Sequence, residues 1–413
     1  MRYARVPASP DTTAVALKLL EYCRANDWAG YDPYDALNSR LLQALPLLDA
    51  RLPRLALTQI LKRSPINIRP LVGIPKTQNP KGLALFLSAL LRLPQAGTSR
   101  HGDLAGVLID RLIALRSTGT PYWCWGYSFP WQTRTVVVPR GAPNLVCTSF
   151  VANALFDAYE HRGDLRCLSM AVSAAEYFAQ ELFWTEGSSV AGFSYPTPSI
   201  RVRIHNSNFL GAAVCCRAHA YTGERRLIDA ALRVARYSAT QQNEDGSWYY
   251  GEHSTQQWID NFHTGFNLCA LRAIARYART SEFDSCIERG LEFYRRHFFR
   301  TDGAARYFHD RTYPIDIHSV AQGIITLLEL RDRGHDHVAL AKAIYRWAMD
   351  HMWDERGFFY YRVLRWGTIR TPFMRWSQAW MLLALATLAA ATAAGESPIA
   401  ADAGATHSSA AVA

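Results

Sequence analysis

The sequence predicts an all-α fold, an (α/α)6 toroid of helical hairpins with short aromatic loops on one rim. Three observations carry this. First, four segments share an acidic–glycine–aromatic pattern: Glu186-Gly187 leading to Phe193-Ser194-Tyr195, Asp245-Gly246-Ser247-Trp248-Tyr249-Tyr250, Asp302-Gly303 leading to Tyr307-Phe308, and Glu355-Arg356-Gly357 leading to Tyr360-Tyr361. Their glycines lie 59, 57 and 54 residues apart. Second, an amide recurs in apolar helical runs at Asn153, Asn208, Asn267, Gln322 and Gln378, at intervals of 55, 59, 55 and 56. Two unrelated landmarks on one period mark an internal repeat. Third, each period holds a stretch apolar nearly all round, as in 267–277 and 322–330, and an amphipathic one, as in 283–298 and 337–352. All-round apolar means buried, and amphipathic means outer layer. One of each makes a helical-hairpin repeat.

Taken in order, the hairpins are expected at 80–92 with 101–118, at 144–162 with 164–183, and from His205, Ile259 and Ile315. A last inner helix starts near Phe373, and an N-terminal helix, 11–26 or 34–49, pairs with it. An open solenoid needs polar caps, but the last helix is the most apolar of all, so the ring closes. The expected organisation is an N-terminal helical segment at 1–79 packed on the toroid, the toroid at 80–394 and a disordered tail at 395–413. The apolar run 379–394 is short for a bilayer of about 30 Å, so it reads as a buried helix and not a membrane span. The N-terminus carries no signal-peptide pattern, which predicts a cytoplasmic protein.

Hydrophobic residues make up 49% and charged residues 19%, enough to bury a core and to exclude a disordered chain. The 12 Trp and 20 Tyr suggest an aromatic-lined groove besides the core. Of the 45 basic residues only five are Lys, leaving 40 Arg, and the net charge is +10. That balance suits an anionic partner, although Ala- and Arg-rich composition alone also produces it. No basic run resembles a nucleic-acid tail. None of the eight cysteines has zinc spacing, and several sit in apolar runs as small buried hydrophobes. Phosphate-binding, dinucleotide, GxSxG and HExxH motifs are absent, so no cofactor or metal is expected.

The aromatic loops join each outer helix to the next inner one. They therefore share a rim with the inner-helix N-termini, where partial positive charge suits developing negative charge. Candidate catalytic residues precede or open the inner helices: Asp260 and His263, Tyr313, Asp316 and His318, with Glu252 after the second loop. An N-cap is the competing role for each Asp, and a packed ring for each His. Candidate substrate-binding residues are Arg203, His205, Asn208, Trp248, Tyr249, Asn267, Asp310, Arg375 and Trp376. Trp123 and Trp125 join them from a loop at 121–143 that holds six aromatics in ten residues. Flat aromatic faces stack on sugar C–H patches, and arginine forks bind carboxylates.

The repeat and its rim resemble the six-hairpin toroid carbohydrate enzymes, a group that includes unsaturated-uronyl hydrolases, polysaccharide lyases and sugar epimerases. That resemblance covers about 80–394. The strings WIDNFHTGFN (258–267), HDRTYPIDIHS (309–319), RWSQAW (375–380), YDPYDALNS (31–39) and KRSPINIRP (62–70) are similar to those of proteins associated with bacterial exopolysaccharide biosynthesis. Some of these carry the label delta-aminolevulinic acid dehydratase, whose chemistry needs active-site lysines in a β/α barrel and does not fit this pattern. The segment 241–248 resembles the QW repeat of triterpene cyclases, but no DxDD motif accompanies it. The resemblance implies a poly- or oligosaccharide partner, acidic in kind, and contact with exopolysaccharide synthesis machinery. The expected activity is a glycoside hydrolase, through Asp260 with Asp316 or Glu252, or a polysaccharide lyase. An epimerase using His263 and His318 and a non-catalytic glycan-binding scaffold are the alternatives.

Overall fold

The computed structural model describes residues 11–45, 50–93, 103–133, 136–334 and 336–396. Its helices are Thr12–Ala25 (α1), Arg40–Ala44 (α2), Arg51–Arg63 (α3), Pro80–Arg92 (α4), Leu104–Ala114 (α5), Leu145–Arg162 (α6), Leu165–Tyr177 (α7), His205–Thr222 (α8), Arg225–Thr240 (α9), Asn261–Ala278 (α10), Asp284–Phe298 (α11), Ile317–Glu329 (α12), His337–Met352 (α13) and Trp380–Glu396 (α14). Helices α4, α6, α8, α10, α12 and α14 each pack on the next, and α14 packs back on α4. The inner ring is therefore closed. Helices α5, α7, α9, α11 and α13 pair with the inner helix before them, and α1 pairs with α14. The toroid is complete, and its sixth outer helix comes from residues 12–25, ahead of the boundary at 80.

Capping explains where the helices begin. The side chains of Asn79, Asn144, Asp260 and Asp316 accept from the first turns of α4, α6, α10 and α12, worth about 1 kcal/mol each. Gly163 and Gly223, both left-handed, end α6 and α8. The apolar run at α14 is the core of the ring: Met381, Leu382, Ala384, Leu385 and Ala386 are fully buried. The stretch Met374–Ala393 is long and apolar enough to cross a membrane by composition, yet 72% of its apolar window is buried inside the protein.

In two of the repeats the two landmarks touch. Asn208 Oδ1 accepts the Phe193 N–H at 3.0 Å, and its Nδ2 donates to Ser238 Oγ at 2.9 Å. Gln378 Oε1 accepts the Phe359 N–H at 2.8 Å, while its Nε2 donates to the Phe359 carbonyl at 2.8 Å. Asn208 on α8 and Gln378 in the helical turn Met374–Ala379 before α14 each hold the aromatic hairpin just ahead: Phe183–Glu186 (β1) with Val190–Phe193 (β2), and Trp353–Asp354 (β3) with Phe358–Phe359 (β4). Asn208 is thus a latch and not a sugar ligand.

All four repeat glycines are left-handed. At Gly246 a Cβ would also run into the Arg289 carbonyl of α11, whereas Gly187 faces open space. Gly246→Ala is therefore expected to destabilise by about 2 kcal/mol or more, and Gly187→Ala by only about 1 kcal/mol. Urea unfolding of the two variants checks this.

The expected helix 34–49 does not form. Residues Asp35–Asn38 make a single tight turn, Ser39 then caps the short α2, and residues 46–49 lie outside the described region. This segment has its own small core of Ala36, Leu37, Leu42, Leu61 and Ile74. Buried Arg69 ties it together, donating to Asp35 at 2.8 Å, the Asp32 carbonyl at 3.1 Å and the Leu61 carbonyl at 3.2 Å. The tail expected at 395–413 lies outside the described residues from 397 onward.

Candidate functional site

The aromatic rim gathers most of its polar groups at the start of α10. Asp260 is buried, and each of its oxygens is used. Oδ1 accepts the His263 N–H at 3.0 Å, and Oδ2 accepts Trp258 Nε1 at 2.9 Å and faces His263 Nδ1 at 2.7 Å. The N-cap role and the pairing role thus belong to one carboxylate. His263 keeps 21% of its side chain exposed against 1% for Asp260, so the imidazole is the reachable member of the dyad. Nδ1 is turned to the carboxylate, and Nε2 is the ring nitrogen that the carboxylate does not engage. Tyr250 packs on this imidazole at 4.6 Å and stacks on Trp258 at 4.5 Å.

Asp316 holds the neighbouring helix and is fully buried. It accepts from the His318 N–H at 2.9 Å and from Trp376 Nε1 at 2.9 Å, and it pairs with Arg362. Both oxygens are committed, so the expectation that Asp316 is a general acid or nucleophile is corrected: it is a structural clamp. His318 is sandwiched between Phe262 and Trp380, 4.5 Å from each, and neither ring nitrogen has a partner. Burial, then the charges of Lys81, Arg375 and His263, push its pKa well below the ordinary histidine value. It stays neutral, with Phe262 between it and the dyad.

Around this cluster stand groups that the sequence reading did not single out. Tyr195, Tyr250, Tyr307 and Tyr361 come from the repeat loops at intervals of 55, 57 and 54. The Tyr195 and Tyr250 hydroxyls are hydrogen-bonded to each other, and burial pushes the Tyr195 phenol up to about 12 and those of Tyr127, Tyr250, Tyr307 and Tyr361 well above the ordinary value. They remain hydrogen-bond donors. Tyr34 reaches in among them from the N-terminal segment, packs on Trp376 at 5.5 Å and accepts from Lys62 Nζ at 2.7 Å. Lys81 in α4 is buried, its Nζ 4.0, 5.2 and 5.3 Å from the ring centres of Phe150, Phe266 and Trp380. Burial and then Arg375 push its pKa well below the ordinary lysine value. The signal for the tyrosines was available: the loop aromatics keep the repeat period. The residue chosen was Tyr249, which is exposed, when its neighbour Tyr250 faces inward. Nothing marked Lys81, which sits in a plain apolar run.

Arg375 and Trp376 do reach this rim. Arg375 is buried and donates two bonds to Asp32, at 2.6 and 2.8 Å, with Tyr127 5.1 Å from its guanidinium. Its fork is filled by the chain's own carboxylate, not open for a substrate's. Other expected residues lie apart. Arg203 pairs with Glu186 at 2.6 Å and Glu252 at 3.1 Å, and Glu252 also accepts from Tyr237; these three sit on the outer flank beside α9. Trp125 and Trp248 are core residues, with Nε1 bonded to the Leu112 and Ser238 carbonyls, and neither offers a face to a sugar. Trp123 lies half-buried beneath Arg116, beside α7. Asp310 pairs with Arg311 on the surface, and Tyr313 is exposed. Asn267 is buried with Oδ1 unpartnered. Among the described residues no group of three His, Cys, Asp or Glu could hold a metal ion.

His205, at the start of α8, is buried with Nδ1 unpartnered. Burial lowers its pKa from 6.5 to about 4, against a smaller opposing effect of Glu252. Because the unfolded chain binds this proton first, its contribution is complete above pH 6.5 and is lost as pH falls toward 4. The linked loss is about 3 kcal/mol. His205→Gln is expected to flatten stability over that window, as read from unfolding free energies against pH.

The arrangement defines a class, the closed toroid of six helical hairpins with its polar residues on the inner-helix N-terminal rim. Solved structures share this fold. A cellobiose 2-epimerase from Spirochaeta thermophila superposes with a TM-score of 0.56 at 14% identity, over 77% of this chain and 87% of that one. A GH76 α-mannanase from Bacteroides thetaiotaomicron gives 0.59 at 13%, over 77% and 88%. An unsaturated glucuronyl hydrolase specific for heparin gives 0.56 at 13%, over 92% and 96%. The chain matches no protein-family model and no curated protein sequence.

Proposed function

We propose that this protein is a carbohydrate-active enzyme whose chemical step is proton transfer by His263, oriented by Asp260. The observation that carries the reading is the dyad: a buried carboxylate 2.7 Å from Nδ1 of a partly exposed imidazole, set among aromatic rings and phenol donors. Such a base removes a C–H proton beside a sugar carbonyl or carboxylate. The phenols stabilise the oxyanion that develops. Reprotonation from the opposite face, by one of the rim phenols, gives an epimer, and loss of the 4-substituent gives an unsaturated lyase product. Two-carboxylate hydrolysis fits less well, because Asp316 is fully bonded and Glu252 lies on the flank. The similar structures include enzymes named for epimerisation and for hydrolysis of saccharides, which supports the substrate class. An acidic glycan of exopolysaccharide metabolism, handled in the cytoplasm, is the substrate context we favour, from the resemblance of the rim strings and the net charge of +10.

The test is incubation with uronic-acid and neutral oligosaccharides in heavy water. Deuterium entering a sugar C–H position, or ultraviolet absorbance from unsaturated uronate, supports the proposal. New reducing ends without exchange or unsaturation would replace it with hydrolysis.

A further inference from the structure

A surface helix ordinarily turns its apolar side inward and its polar side out. Helix α3 is apolar on both sides. Thr58 and Leu61 are buried toward the small N-terminal core, and Leu57 packs on it. On the outward side stand Leu52, Ala56 and Ile60, four residues apart and so on one face. All three are exposed, Leu52 by 75% and Ile60 by 56%. The stretch after α3 adds Ile66 at 72% and Leu71 at 84%. Helix α2, whose Leu41 N–H donates to the Val72 carbonyl at 3.5 Å, adds exposed Leu41 and Leu45. Among the described residues, six of the thirteen exposed large hydrophobics thus fall within 41–71. Such a concentration marks an interaction face, whereas single exposed hydrophobics need no explanation.

Charge indicates what covers this face. Residues 50–76 hold six Arg and Lys and no acidic residue. Buried Arg69 is spent on Asp35, but Arg51, Arg63 and Lys76 are exposed. A second copy of the chain would set like charge against like across a two-fold contact. The exposed apolar groups are all Leu or Ile, without the aromatic anchors that dominate protein interfaces. Aliphatic side chains bordered by arginine and lysine match a helix lying in the surface of an anionic bilayer. We propose that α3 and the stretch that follows it to Lys76 dock this protein on anionic phospholipid, without spanning the membrane. The same N-terminal segment reaches the catalytic rim, where Lys62 donates to the Tyr34 hydroxyl. Docking stands whether or not the His263 reading does.

The test is co-sedimentation of the full chain with vesicles of phosphatidylcholine, alone or with about 30 mol% phosphatidylglycerol. Binding to the anionic vesicles is expected to be about tenfold stronger or more, and to weaken by a similar factor in about 0.5 M salt. Leu52→Gln with Ile60→Gln removes the apolar face, and Arg51→Gln with Arg63→Gln removes charge. Each pair is expected to weaken binding about tenfold or more, since one basic residue near such a surface contributes about fivefold. Melting curves establish that the variants fold, and if the apolar pair does not, the charge pair decides. Equal binding to both vesicle types, binding to neither, or binding unchanged in either folded pair overturns the proposal. Dimers found by sedimentation velocity without lipid, and broken by the apolar pair, would overturn it in favour of a second copy. Turnover of soluble oligosaccharides bears only on the His263 reading.

Discussion

His263→Ala is expected to lose turnover by about 10²- to 10⁴-fold while its melting behaviour stays close to wild type. The imidazole contributes one hydrogen bond and ring contacts at a partly open position, whereas the helix start is fixed by Asp260. Asp260→Asn separates the two roles of the carboxylate. Asparagine caps a helix about as well as aspartate, so α10 should keep its stability. The amide no longer offers a carboxylate to His263 Nδ1, and the favoured tautomer and orientation of the ring are lost. A comparable fall in rate is expected, with the cap kept and a loss of about 1–3 kcal/mol in unfolding free energy because the amide nitrogen then faces the Trp258 Nε1–H. Retained turnover in both variants, measured by deuterium exchange, would remove the dyad from the chemistry.

Arg375→Met is expected to cost about 3–5 kcal/mol, because it leaves the buried Asp32 carboxylate without its partner. The pair joins the N-terminal segment to the last inner turn, so the loss should also expose residues 31–79 to protease. Removing both charges, Asp32→Asn with Arg375→Met, should recover much of the stability, since the uncompensated charge and not the missing attraction dominates the single variant. Urea unfolding of the two singles and the double checks this; additive losses would mean that the pair is not coupled.

Much of the ring was legible in the sequence. Its inner helices are largely apolar, four of the six are capped by Asn or Asp, and the loop glycines keep phase. Hairpin positions therefore followed from periodicity alone. The rim was legible only in part. Asp260 and His263 were visible as a pair at helical spacing, and here the cap and the pairing partner proved to be the same side chain. Asp316 and Arg375 looked equally reactive, but their partners, Arg362 and Asp32, stand 46 and 343 residues away, beyond any local pattern. Trp125 and Trp248 show the converse. A tryptophan in a loop motif carries no mark telling whether its face meets solvent or core. The helix expected at 34–49 failed because Asp35 and Ser39 turn their side chains to the backbone and to Arg69, breaking the segment into short pieces.

The pairing of α1 with α14 sets an order on assembly. Five hairpins are local in sequence, but the sixth joins residues 12–25 to 380–396. Ring closure therefore carries the largest loop entropy and depends on α14. Trp376 and Arg375, which complete the rim, arrive with it. During synthesis the five local hairpins can form one after another, yet the bond from Trp376 to Asp316 and that from Arg375 to Asp32 must wait until residues 375–376 have been made. The rim is then completed in a single event that follows the five hairpins, and shorter chains would present a half-built ring.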